Sequence, residues 1–496
     1  MDAAPPVPTR SPSPLPAAPL PPSRRRRSWA RPRDTGASVL VSALSSAFGV
    51  VLLAATGFIG DLLASADYLQ GRESVVVIIA ILSWLLLGVA VFVASIVTAT
   101  TFAAVVAGRV RGIALLRLLG ASAGAQRSAV ARDGLWAGAF GAVLGFVLGI
   151  ALSGGGIAAA VAVLDLTVTM PYAGLLSPVV LVPPVAVALT TWGSAWAGSA
   201  RVLRVSPLEA LAASGDRSRS EITRRTSRNV VAICLLVLGF GVLALGVLAG
   251  LVTPLGVVPA FVGGLVSFVG VALAAPLFMP PVLRLVGRAF GRSAVARLAA
   301  ENAMRHPERA SRMTIGVVLG VTLVTMFAAG LASARTVLVT SAGEPDPEFL
   351  RILESFSSVM MLLTAVSALI AAVGLVNLLT LGVVQRRREF GLLRALGLST
   401  RQIRAVVLIE AAHLTLTALV VGLVLGIVYG WAGAQSVLGS VGVPPSYESP
   451  TFVLPAVPVG TVLVVVAVTA VLTLVSAVVP TRHATSVTPV EALADA

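Results

Sequence analysis

Apolar residues run along this chain in blocks of about twenty, separated by short stretches that collect most of its charge. The blocks lie near 38–60, 75–106, 134–162, 176–199, 230–250, 257–283, 314–334, 356–384, 405–432 and 452–479. Each is long enough to cross a hydrocarbon core of about 30 Å at about 1.5 Å per residue, the longer ones by tilting or by reaching into the cytoplasm. The pattern therefore predicts an all-α integral membrane protein of about ten transmembrane helices. Prolines blur the boundaries near 171–184 and 254–281, because Pro fits either a loop or a packed membrane helix. Residues 1–36 follow another regime, rich in Pro and Arg with no apolar period, and read as a disordered tail. Arg24 to Arg27, Arg31 and Arg33 stand directly before the first block, where they meet anionic lipid and hold that flank in the cytoplasm. A nucleic-acid-binding arm is disfavoured, since no aromatic or basic platform accompanies the run. The block from Ser38 to Ile59 is too long for the apolar core of a signal peptide.

Composition agrees, with 57% hydrophobic and 11% charged residues in 496. Soluble domains carry about 25% charge, so the polar surface they need is missing. Every basic residue is Arg, which excludes a P-loop ATPase within this chain, because that loop needs Lys to reach the phosphates. The same absence excludes a lysine Schiff-base enzyme. One Cys and three His, at 306, 413 and 483, supply neither a disulfide framework nor a usual zinc site. Ten crossings put both termini on one side, and the Arg distribution tests that topology. Of the 36 basic residues only Arg72, Arg335 and Arg351 fall on the outer side, against nine acidic residues there, among them Asp67, Asp165, Glu344, Asp346 and Glu348. The imbalance orients the termini and the Arg-rich loops to the cytoplasm.

The chain also repeats itself. GRVRGIALLRLLGASAGAQRSAVARD and QRRREFGLLRALGLSTRQIRAVVLIE align when Gly120 is placed on Gly397, a displacement of 277. Leu115-Leu116-Arg117 then falls on Leu392-Leu393-Arg394, Ser122 on Ser399, Asp133 on Glu410, Gly145 on Gly422 and Gly149 on Gly426. The segments from Val205 and from Val487, VSPLEALA and VTPVEALA, agree at a displacement of 282. The expected organisation is a cytoplasmic tail (1–36), a four-span unit (37–213), a linker (214–228), two intervening spans (229–284), a second linker (285–313) and a second four-span unit with a short tail (314–496). Both units begin and end in one compartment, so they form a parallel repeat about an axis along the membrane normal.

The repeated cytoplasmic loop is the most informative stretch. Phe390, Leu393, Leu396, Ile403, Val406 and Val407 recur at helical spacing, and Arg386, Arg387, Arg394, Arg401 and Arg404 supply a basic rim. Gly397 suits a turn or C-cap, with Ser399 or Thr400 capping the next helix. An interfacial helix, a sharp turn and a return into the membrane make an elbow able to carry the motion of a soluble partner; resting on lipid is the plainer role. Asp133 and Glu410 are candidate charges where each elbow enters the membrane, able to meet exposed helix-start N–H groups. His413, one turn from Glu410, is a weak candidate for a proton relay, with Trp136 as its counterpart. Gly141, Gly145 and Gly149, echoed by Gly422, Gly426 and Gly430, read as close helix packing.

The run from Gln385 to Ser399, with Glu410 after it, resembles the hallmark loop of FtsX/MacB-type ABC transporter permeases. Residues 301–312, leading into the seventh block, are similar to the lead-in of a family unit. The resemblance covers both four-span units, about three quarters of the chain. It implies coupling helices that dock on a separate ATPase in two copies, with ATP and Mg bound there and no cofactor or metal on this chain. By it, Arg388, Glu389, Gly391, Arg394 and Gly397 form the second coupling site, and Arg111, Arg117 and Gly120 a partial first one. Gly112 and Ala114 replace the residues aligned with Glu389 and Gly391. The family scheme is mechanical transmission to extracytoplasmic parts; the all-Arg basic complement and abundant Ala, Gly and Val fit GC-rich codons, and with them a bacterial cytoplasmic membrane. Large outer domains of well-described relatives are missing, since only short loops join the first two spans of each unit; such loops cannot bury a core. That favours handling of a lipid-like or amphipathic substrate at the outer leaflet. Membrane lipids, and a homodimeric or accessory partner, complete the expected partners; nucleic acid is not among them. An ion-coupled secondary transporter and an ATPase-driven regulator of an envelope protein remain the alternatives.

Overall fold

The computed structural model describes residues 32–65, 85, 88, 92, 95, 99, 118–120, 122–164, 172–204, 226–288, 301, 307–341, 397–440 and 450–486. The long helices are α1 (Pro32–Ser65), α2 (Ala123–Leu164), α4 (Val182–Arg204), α5 (Thr226–Gly250), α6 (Val257–Gly287), α7 (Pro307–Ser341), α8 (Thr400–Leu438) and α9 (Val459–Ser486), with the single turn α3 (Ala173–Leu176) before α4. No strand occurs among the described residues. In lipid each backbone N–H and C=O needs a partner within the protein, and an α-helix supplies one from its own segment. Seven described segments are long and apolar enough to cross a membrane, and Val459–Val475 of α9 is a shorter apolar helix.

Helix starts depart from the hydropathy pattern in several places. α2 begins at Ala123 and α8 at Thr400, ahead of the expected 134 and 405, because polar, capped turns continue each apolar helix toward the elbow. The block at 176–199 is split, with Pro178–Leu181 forming a 3₁₀ turn before α4. The block at 452–479 is helical only from Val459, since Thr451–Pro458 lies in no helix. The expected spans near 75–106 and 356–384 lie outside the described residues. The exceptions are Leu85, Gly88, Phe92, Ser95 and Ala99, which are helical. Residues 1–31 of the expected tail at 1–36 and most of both linkers also lie outside, whereas residues 32–36, expected as disordered tail, form the first turn of α1.

Two similar helix pairs organise the bundle. α1 packs on α2 and α4, and α7 packs on α8 and, less extensively, α9. A Cβ at Gly145 would meet Ala43 and Ser46, and one at Gly149 would meet Ala47 and Val50; at Gly422 and Gly426 the neighbours are Val318, Val321, Thr322 and Thr325. The contacts thus recur at a displacement of 277 on one helix and 275 on the other. Membrane helices gain nothing from burying apolar surface against each other rather than lipid, so small residues that let backbones approach carry the packing. Ser46 Oγ adds a hydrogen bond to the Ala142 carbonyl at 2.9 Å. Such interhelical bonds contribute about 0.6 kcal/mol on average.

The hairpin α5–α6 is held just as closely, since Gly239 and Gly246 face Ser267 and Ala260 with no room for a side chain. Pro276, Pro280 and Pro281 lie inside α6; neighbouring helices make such prolines tolerable in membranes. The hairpin packs on α8 and α7. An aromatic group closes the joint, with Phe240 stacked on Tyr429 at 5.9 Å and Phe268 edge-on to Phe92 at 5.6 Å. At the far end of α8 the non-helical segment is tied down by side chains. Gln435 donates from Nε2 to the Thr451 carbonyl and accepts from Val453 N–H, at 2.9 and 2.7 Å. Trp431 Nε1–H donates to the Val453 carbonyl at 2.8 Å, and Ser333 Oγ accepts from Ala456 N–H at 3.0 Å.

Candidate coupling elbows

Each of the two longest helices starts from a matching turn. Gly120 has φ +92° and Gly397 φ +94°, a backbone region that L side chains enter at a cost of about 1–2 kcal/mol. A serine follows two residues later in both. Ser122 Oγ accepts from Ala125 N–H at 3.3 Å, and the Ser122 carbonyl accepts from Gln126 N–H at 3.2 Å. Ser399 Oγ accepts from Gln402 N–H at 3.3 Å while Gln402 Oε1 accepts from Ser399 N–H at 2.9 Å, a complete capping box. A cap of this kind contributes about 1 kcal/mol. Ser399, rather than Thr400, is the cap.

The elbow residues that follow are two-faced. Ile403, Val406 and Val407 are buried, and Arg401 and Arg404 are exposed. On the first elbow Val130 and Ala131 are buried and Arg132 is exposed, while Leu119 beside the turn is 83% exposed. Arg127 does not project freely: its guanidinium lies 3.9 Å from the Trp196 ring centroid and fastens α2 to α4. Arg111, Arg117, Arg388, Glu389, Gly391 and Arg394 lie outside the described residues, as do Phe390, Leu393 and Leu396. Of the expected coupling residues the structure therefore places Gly120 and Gly397.

Asp133 and Glu410 are not at helix starts. Each is ten residues into its helix, about 15 Å from the first turn, too far to reach exposed N–H groups, and the serines already cap those ends. α8 is 39 residues long, about 58 Å, against a hydrocarbon core of about 30 Å. Its first turns therefore have the length to stand clear of the apolar layer. His413 is buried, and its Nε2 donates to the Leu283 carbonyl at 2.6 Å. A carbonyl offers no proton, so Nε2 carries one, and that nitrogen is committed to α6. Trp136, 277 residues earlier, is 70% exposed.

Several working residues escaped the pattern of the sequence. Trp431 and Gln435 are one turn apart in an otherwise apolar run, and Pro455 and Pro458 follow; a lone Gln beside a proline-broken apolar stretch is the available signal. Arg127 and Trp196 offered none, being far apart in sequence. Among the described residues no group of three or more His, Cys, Asp or Glu is placed to hold a metal ion.

Residues 361–489 match the FtsX-like permease C-terminal family. The chain is also 35% identical over 103 residues to an uncharacterised ABC transporter permease of Methanocaldococcus jannaschii, across 19% of this chain and 26% of that protein. The match thus spans about a quarter of that relative's length. The apolar helices make the chain a multi-pass membrane protein. Residues 361–489, which contain the Gly397 turn, are thus similar to the C-terminal region of FtsX-like permeases.

Proposed function

We propose that this chain is the transmembrane permease subunit of an ABC transporter. A separate ATPase, in two copies with ATP and Mg bound, docks on the two elbows, and its closure is transmitted mechanically to the outer side. The work done there is export or outer-leaflet handling of a lipid-like, peptide or other amphipathic substrate. The carrying observation is the pair of matching turns, Gly120 with Ser122 and Gly397 with Ser399, each leading into a helix longer than the membrane needs. A fixed turn and a capped helix move as one piece, so a push on the turn reaches the bundle. The recurrence of contacts between α1–α2 and α7–α8 supports two equivalent units, and hence two docking sites on one chain. The chain itself acts without catalysis in this reading, and both termini face the cytoplasm of a bacterial plasma membrane.

The secondary-transporter alternative needs a titratable relay within the bundle. His413 is its best residue, and the bond to the Leu283 carbonyl gives that side chain a positioning role instead. The regulator alternative keeps the ATPase contact and drops the substrate. Co-purification with candidate ATPase subunits tests the proposal, comparing the parent with a Glu389→Ala plus Arg394→Ala variant. Retention by the parent and loss in the still-folded variant are expected; no association by the parent contradicts the assignment.

A further inference from the structure

The intervening hairpin α5–α6 has no part in the elbows, yet it is joined to α8 along most of that helix. Three contacts define the joint. At one end His413 Nε2 donates to the Leu283 carbonyl at 2.6 Å, beside a buried group of Leu283, Ala310 and Leu414. Further along, Tyr429 Oη and Ser267 Oγ share a hydrogen bond of 2.9 Å, with Phe240 stacked on the same ring. At the other end Gly250 lies so close to Ser436 that a side chain there would strike the α8 backbone. His413 and Tyr429 are sixteen residues apart on α8, and Leu283 and Ser267 sixteen apart on α6. Equal spacing in opposite directions means that the two helices run antiparallel and in step for about 24 Å.

The equivalent residues of the first unit are exposed. Trp136 and Leu152, 277 residues before His413 and Tyr429, are 70% and 58% exposed. The hairpin also meets described residues of the expected second span, with Phe92 edge-on to Phe268 and Gly88 facing Phe261. Hydrogen bonds at fixed spacing hold the register of the α6–α8 joint.

We propose that His413 is a positioning residue that locks α5–α6 to α8, making the hairpin the moving arm of the second elbow. The inference rests on the coupling reading above for the source of motion, but not for the lock itself. A push at Gly397 would then carry the hairpin tip with α8. Its output is at Leu251–Gly256, where Val252 is 84% exposed.

Spin labels on the full chain in nanodiscs test this, at Val252→Cys on the tip and Val424→Cys on α8, with the exposed Cys234 replaced by Ser. The parent is expected to give one narrow distance distribution without nucleotide. His413→Leu removes the donor and is expected to broaden it. His413→Asn is expected to do the same, because its shorter amide falls short of Leu283. His413→Gln, whose amide nitrogen reaches the position of Nε2, should restore the narrow distribution. A broad parent distribution, or a His413→Leu or His413→Asn distribution as narrow as the parent's, overturns the proposal. With the ATPase bound and ATP trapped, the Val252–Val424 distance should stay fixed; a shift in it overturns the proposal too. Failure of the ATPase to bind would contradict the coupling reading alone, since the nucleotide-free contrast needs no ATPase.

Discussion

Substitutions at Gly397 separate backbone conformation from every other reason for a glycine. Its φ is +94°, and among the described residues no atom beyond its chain neighbours lies within 4 Å of where a Cβ would stand. Crowding by neighbours therefore adds nothing, and the cost comes from the residue's own backbone. For Ala that is about 1–2 kcal/mol. Asn, which tolerates the left-handed region, costs less, and Val, branched at Cβ, costs more. Because 1.4 kcal/mol is about a tenfold change in an equilibrium, Gly397→Ala should raise the open population of the turn about five- to thirtyfold. Amide hydrogen exchange at Gln402 and Ile403, whose N–H groups bond to Ser399, reports that population in nanodiscs. Exchange should rise in the order Gly, Asn, Ala, Val, and Gly120→Ala should behave likewise at Ala125 and Gln126. Equal exchange across the series, or Val no worse than Asn, would refute the reasoning.

Other substitutions probe the bundle and its caps. Ser399→Ala removes the hydroxyl that accepts from Gln402 N–H, leaving the backbone N–H bond to Gln402 Oε1, and should cost about 1 kcal/mol, measured as a lower unfolding midpoint in a denaturing-detergent titration. Gly426→Leu drives a side chain into Thr325 and the Thr322 carbonyl. It should destabilise by about 1–3 kcal/mol or more, seen in the same titration, with Gly149→Leu giving a matching loss through Val50. Gln435→Ala leaves the Thr451 carbonyl and Val453 N–H without their side-chain partners, a penalty of about 1–3 kcal/mol where they stay out of water. Limited proteolysis within 450–458 should accelerate in that variant while cleavage elsewhere is unchanged.

Helix blocks are legible because lipid demands long apolar runs: α5 and α6 follow the pattern closely, and α1 and α7 contain their blocks but start six and seven residues ahead of them. Starts were less legible because hydropathy stops at the first charges. The turns carrying Arg127, Arg132, Arg401 and Arg404 belong to α2 and α8 yet read as loop. The opposite error occurred at Thr451–Pro458, which is apolar enough to read as membrane span. Its hydrogen bonds come from Gln435, Trp431 and Ser333, partners that no local pattern reveals. Gly120, Gly397, Ser122 and Ser399 were readable from the repeat, since both copies keep the residue types that such a turn requires. Asp133 and Glu410 occupy equivalent places in the repeat, yet each lies ten residues past its helix start, which hydropathy alone does not locate. His413 illustrates the remaining gap, because a titratable residue beside Glu410 suggested proton chemistry until the Leu283 carbonyl showed what its ring nitrogen holds.

Cross-linking from both turns to the ATPase tests the central claim most directly. Leu119→Cys and, separately, Arg401→Cys, each with Cys234→Ser, place a short bifunctional reagent beside Gly120 and Gly397 in native-like membranes containing the cognate ATPase. The account predicts that each position captures an ATPase subunit, and that lipid-facing Leu148→Cys on α2 captures none. Capture from neither turn, with the ATPase present and the chain folded, would contradict it.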